Sequence, residues 1–171
     1  DRHRAHPSRA PLPEAQREAF ERIRSFVTQH DRHWHLDGGC GTGASSHRLA
    51  HRLAAPVVGV DRSAARLDRG TRSCGPQHPA VLTVRADLPA LVRQMRSAEL
   101  RADSLYLLYP NPSPKSAHLG RRWHAHPCFD DLLAAAPRRG VCLTPMETRR
   151  DVIVEMPADD VTFGMSDRAG Y

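Results

Sequence analysis

Residues 34–54 read WHLDGGCGTGASSHRLAHRLA: a short apolar run, then Asp37 and glycines at 39, 41 and 43, then apolar residues at helical spacing. Glycine permits backbone angles that other residues avoid and lets a ligand approach the main chain, while the N-terminus of a following helix offers N–H groups. A strand, a tight turn and a helix in that order are the opening of a βαβ unit. A chain built this way folds around a parallel sheet with crossover helices.

The remaining pattern agrees with that start. Short apolar runs predict strands near 34–37, 56–60, 80–86, 103–109 and 139–144, and helical spacing predicts helices near 44–54, 63–70, 88–96 and 127–136. Ahead of them, Phe20, Ile23, Phe26 and Val27 mark an amphipathic helix that starts at Pro13 and packs on the domain edge. DVIVEMP and DVTFGM near the C-terminus read as two further strands joined by a short turn. Residues 1–12 are basic, contain proline and have no apolar period, so residues 1–30 are expected to form an arm and a helix ahead of a single α/β domain over 31–171.

A chain of 171 residues with 40% hydrophobic and 26% charged residues suits one globular domain with a real core. No run approaches the roughly 18 apolar residues of a membrane span. No signal-peptide pattern opens the chain, and a soluble, cytoplasmic protein is expected. The cysteines at 40, 74, 128 and 142 include no C-x-x-C pair, which predicts reduced thiols. Eleven histidines include the pairs His33/His35 and His124/His126, but no further ligands stand at recognisable spacing, so no metal is expected. Net charge is +6, which favours a polyanionic partner. Arginine supplies all of the 25 cationic residues except Lys115.

Gly39, Gly41 and Ala44 also satisfy a dinucleotide fingerprint. Against that reading, a carboxylate at Asp37 would repel a pyrophosphate, whereas it would accept from the ammonium group of an amino-acid ligand. VVGVD ends a second strand in Asp61, eighteen residues beyond Gly43, where an acid can chelate ribose hydroxyls. LTVRADL ends a third strand in Asp87, placed to accept from an adenine amino group while the N–H of Leu88 meets a ring nitrogen. Either acid can instead cap the helix that follows it.

D-x-G-x-G-x-G followed by two acids at successive strand ends resembles the class I S-adenosylmethionine-dependent methyltransferases over residues 34–110 at least. The resemblance implies a Rossmann-like fold, S-adenosylmethionine as cofactor, and cofactor contacts from Asp37, Gly39, Gly41, Gly43, Asp61, Asp87 and Leu88. A fourth strand, DSLYLLYP, leads into NPSPKSAHLGRR. Tyr109, Pro110, Asn111, Pro112, Lys115, His118, Arg121 and Arg122, then Pro127 and Phe129, are similar to the signature of the tRNA (guanine-N7)-methyltransferases.

That narrower resemblance implies Asn111 beside cofactor and target base as the catalytic position, with Lys115, His118, Arg121, Arg122 and Thr144 toward a tRNA substrate. Asn111 and Ser113 stand where the family has aspartate and tryptophan, Pro145 where it has aspartate, and TFGM at 162–165 lacks the family's glutamate. Glu147 is the candidate to substitute for the lost acid. NPSP is similar as well to the motif of methyltransferases acting on exocyclic or amide nitrogens. Transfer to another base or a small molecule, or a cofactor-binding homologue without catalysis, therefore stands as an alternative.

Overall fold

The computed structural model describes residues 13–30, 33–73, 78–108, 123, 126–136 and 141–144. Five parallel strands, β1 (His35–Gly38), β2 (Val57–Asp61), β3 (Val81–Arg85), β4 (Ser104–Leu108) and β5 (Val141–Thr144), lie in the order β3-β2-β1-β4-β5. The helices are α1 (Glu14–Gln29), α2 (Ala44–Leu53), α3 (Ala64–Ser73), α4 (Leu88–Ser97) and α5 (Phe129–Ala135). This is the doubly wound α/β arrangement that the alternation of runs predicts. The two C-terminal strands expected from DVIVEMP and DVTFGM lie outside the described residues.

The chain moves outward from β1 through α2 and α3 to β3, then returns across the sheet to β4 beside β1. Because parallel crossovers are right-handed, the reversal puts α2 and α3 on one face and α4 and α5 on the other. Strand side chains divide accordingly. Leu36, Val58, Val60, Leu105 and Leu107 join the larger core with α1, α4 and α5, whereas Val57 and Tyr106 join Leu49 and Ala50 of α2.

Helix α1 follows Pro13, with Glu14 in its first turn, where a negative charge complements the helix dipole. Its inner face carries Gln16, Ala19, Phe20, Ile23 and Val27, all buried. It packs over β3, one of the two outer strands of the described sheet, and against α4. Phe20, Ile23 and Val27 thereby close the core at that edge. Exposed pairs such as Arg24 with Glu21 at 3.1 Å add little by comparison.

Candidate functional site

Strand reversal between β1 and β4 opens a crevice at the carboxyl ends of the strands, and the glycine turn sits at its centre. Gly39, Gly41 and Gly43 all have positive φ, at 78°, 60° and 81°. A Cβ on Gly39 or Gly41 would meet nothing within 4 Å, so the turn presents open space on that side. Gly43 is the N-cap of α2, and a Cβ there would press on the Thr83 methyl at 3.0 Å.

The turn's donors are mostly spent inside the protein. Gly39 and Cys40 N–H both bond to the carbonyl of Val60, at 2.7 and 3.0 Å, and Gly41 N–H bonds to Asp61 Oδ2 at 2.9 Å. These bonds hold the turn against β2. What it offers a ligand is principally room rather than amide groups.

Asp37 lies within β1 rather than at its end, between Gly59 of β2 and Tyr106 of β4. Only 1% of it is exposed. Its Oδ2 accepts from the hydroxyls of Ser45 and Ser46, at 2.6 and 2.7 Å, while Oδ1 is buried without a partner. Burial raises its pKa, the two serine hydrogen bonds pull it back down, and the charge of Asp61 raises it further. A buried carboxylate with an orphaned oxygen asks for a cationic donor. Gly59 makes the arrangement possible, because a Cβ there would collide with Ser46 Oγ and meet Cys40 Sγ at 3.0 Å.

Asp61 is the last residue of β2 and is buried. Its Oδ1 accepts from the N–H of Ser63 at 2.7 Å, just ahead of α3, and Arg66 stands 3.7 Å from Oδ2. Each oxygen retains a second lone pair for a hydroxyl donor. The carbonyl of Asp61 accepts from Ala86 N–H at 3.1 Å, which ties the β3–α4 connection to the tip of β2.

Asp87 stands two residues beyond β3 and caps α4, accepting from Ala90 N–H through Oδ2 at 3.1 Å. The capping role is thus real, yet the side chain is exposed and Oδ1 is left for another donor. Leu88 is the first residue of α4, a position whose N–H lacks an intrahelical acceptor, and none appears among the described residues.

Asp37, the glycine turn and Asp61 therefore form one hydrogen-bonded unit, with Asp87 and Leu88 at the adjoining tip. Thr144 ends β5 in register with Leu108. Asn111, Lys115, His118, Arg121 and Arg122 lie outside the described residues.

Several contributors escape a reading of the sequence alone. Ser45 and Ser46 sit in the first turn of α2, one turn from Asp37's strand, and hydroxyls there are placed to reach back to a nearby carboxylate. Gln16 is a polar residue on the apolar face of α1, four positions before Phe20. Gly70 lets α3 lie directly on the carbonyl of Thr42, with which a Cβ would overlap.

Cys40 and Cys128 are free and buried. Burial pushes the Cys40 thiol up, with Asp37 and Asp61 adding to it, and burial takes Cys128 up to about 12. Neither is a nucleophile at neutral pH. Among the described residues no group of three His, Cys, Asp or Glu side chains is placed to hold a metal ion. No helix among them is long and apolar enough to cross a membrane.

The crevice thus offers carboxylate acceptors on Asp37, Asp61 and Asp87 and a main-chain donor at Leu88. Residues 36–112 match a family model described as a methyltransferase domain. The fold is similar to that of the antibiotic-resistance methyltransferase Kmr, with TM-score 0.52 and 19% identity, over 84% of this chain and 72% of that one. It is also similar to the aminoglycoside resistance methyltransferase NpmB1, with TM-score 0.51 and 22% identity, over 72% of this chain and 60% of that one. No curated protein matches the chain. The strand order and the match over 36–112 together support a methyltransferase that uses S-adenosylmethionine.

Proposed function

We propose that this methyltransferase acts on RNA, and specifically on guanine N7 of tRNA. The observation that carries the proposal is the parallel register of β4 with β1, in which Asp37 pairs with Tyr106. The strand that precedes the Tyr109–Arg122 segment therefore ends beside the glycine turn. Asn111 follows Leu108 by three residues, a reach of at most about 10 Å. Support for the substrate comes from that segment's resemblance to the tRNA (guanine-N7)-methyltransferases, and from a net charge of +6.

On this reading Asp37 accepts from the ammonium group of the methionine portion, the open faces of Gly39 and Gly41 accommodate the chain, Asp61 accepts from the ribose hydroxyls, and Asp87 with Leu88 N–H reads the adenine edge. When bound, S-adenosylmethionine supplies an electrophilic methyl group on a sulfonium. Guanine N7 carries a free lone pair, so its attack needs no general base. The nitrogen–carbon bond would form as the carbon–sulfur bond breaks, with the electron pair of that bond left on sulfur.

The protein's contribution is alignment of nitrogen, carbon and sulfur in a crevice closed to water. Asn111 positions the base edge through its side-chain carbonyl, with less electrostatic help to the forming cation than a carboxylate gives. Lys115, His118, Arg121 and Arg122 meet nucleotide and phosphate oxygens, and Thr144 stands on the substrate side at the tip of β5. The free thiols of Cys40 and Cys128 fit a reducing, cytoplasmic compartment.

A second reading, transfer to an amine nitrogen, is favoured by Asn111-Pro112 itself, because the Asn carbonyl accepts from an attacking amine. Incubation with labelled methyl donor and bulk tRNA, followed by digestion to nucleosides, separates the two. Labelled 7-methylguanosine supports the proposal, and another labelled nucleoside supports the amine reading. Unlabelled RNA despite donor binding overturns both as RNA activities.

A further inference from the structure

The N-terminal helix reaches the cofactor side of the fold through one buried polar side chain. Gln16 is 6% exposed, on the inner face of α1 among Ala19, Phe20, Ile23 and Val27. Its Oε1 accepts from the backbone N–H of Asp87 at 2.9 Å. Its Nε2 faces the carbonyl of the same residue at 3.5 Å and donates to Gln94 Oε1 at 3.3 Å. The orientation of the amide is settled by Asp87, whose N–H tolerates only an acceptor opposite it.

A side-chain amide set against both polar groups of one residue acts as a short length of neighbouring strand would. It fixes Asp87 at φ −82° and ψ 116°, the extended conformation from which the chain enters α4. That conformation decides where the next N–H, that of Leu88, points. The Asp87 carboxylate is fixed separately, by its capping bond to Ala90. Two independent restraints thus converge on the two groups that face the adenine edge under the proposed function. An apolar residue at position 16 would pack α1 equally well and would leave Asp87 N–H without this acceptor.

We propose that Gln16 is a positioning residue for base recognition: by bonding the main chain of Asp87 it sets the Leu88 N–H and Asp87 carboxylate in the register that selects adenine over other purines in the methyl donor. The proposal rests on the assignment of Asp87 and Leu88 to the adenine edge. Hypoxanthine offers the sharpest contrast. It replaces the 6-amino donor of adenine by an oxo acceptor and carries a proton on N1, so a site with its carboxylate and N–H held in place rejects it twice. A site in which the Asp87 peptide is loose discriminates less.

The test measures binding of S-adenosylhomocysteine and S-inosylhomocysteine by calorimetry to wild type, Gln16→Ala, Gln16→Met and Gln16→Glu. Wild type is expected to prefer the adenine ligand. Gln16→Ala should weaken that ligand by about tenfold, as for loss of one hydrogen bond to a buried amide, with little effect on the inosine ligand. Gln16→Met keeps the length and volume of the side chain and gives the same result should the alanine variant not fold. Gln16→Glu keeps the acceptor for Asp87 N–H, and Gln94 can turn its amide to meet the second oxygen, so the preference should return in part.

Folded Ala and Met variants that keep the wild-type preference, whatever their absolute affinities, overturn the proposal and leave Gln16 a packing contact. Wild type that binds the adenine ligand no better than the inosine one overturns the adenine-edge assignment, and this inference with it.

Discussion

Ser46, in the first turn of α2, donates its hydroxyl proton to Asp37 Oδ2 at 2.7 Å, across the glycine turn from the strand that carries the acid. The bond closes the βα unit on itself. It satisfies one oxygen of a carboxylate inside the sheet and turns the other, without a partner, into the feature that most favours a cationic ligand group. Burying an ion without its counter-charge is locally costly until such a charge arrives.

Asp37 therefore carries a pH signature. Burial raises its pKa, so the free protein holds the carboxyl proton to higher pH than an ordinary aspartate does. A ligand ammonium favours the ionised form. Affinity for S-adenosylhomocysteine should rise with pH through the raised value and then level, until the ligand amine itself deprotonates. In the free protein the sign for stability is opposite: the contribution of this group is full below the ordinary aspartate pKa and is lost as pH rises through the raised one. Asp37→Asn should bind about tenfold or more weakly at neutral pH, lose the slope, and unfold at no lower urea concentration than wild type. Calorimetry across pH and urea unfolding check the two halves, and a variant that retains the slope removes Asp37 from the site.

Gly70 links a helix to the turn. A Cβ at this position would overlap the Thr42 carbonyl, which is backbone and has little freedom to yield. Gly70→Ala should destabilise the protein by about 1–3 kcal/mol, as for overpacking, even though alanine is the better helix former. It should also weaken cofactor binding, since Thr42 lies between Gly41 and Gly43. Thermal unfolding is the measurement, and an unchanged or raised midpoint contradicts the close approach of α3 to the turn.

Arg121→Ala with Arg122→Ala should weaken tRNA binding and lower the salt slope by about one for each phosphate no longer neutralised, while cofactor affinity stays at the wild-type value. Binding measured over a range of salt concentrations decides it. An unchanged slope separates these arginines from RNA.

Most of the sheet was legible because its strands are written as short runs rich in Val and Leu, such as VVGV and VLTV, bounded by turn residues. All five described strands lie within two residues of their expected limits. The glycine turn was legible for the same local reason.

What the sequence could not show is how distant segments meet. Asp37 reads as a strand end but continues into Gly38, and the flanking strands bury it. Asp87 reads as a strand-end acid but lies two residues beyond β3, where capping of α4 claims one of its oxygens. Gln16 contacts a residue 71 positions away, and nothing in the helix period says what a polar residue on an apolar face will meet. The glycines were expected to open the turn's main-chain groups to a ligand. The turn's N–H groups bond instead to Val60 and Asp61, a fact that depends on the register of β1 against β2.

The most direct test of the account is calorimetry of S-adenosylhomocysteine with wild type and with Gly41→Asp, which puts a charged side chain into the open face of the turn. Wild type should bind one ligand per chain, and the variant, still folded by circular dichroism, should show no heat of binding. A wild type that does not bind, or a variant that binds as well as wild type, contradicts the placement of the cofactor at this turn.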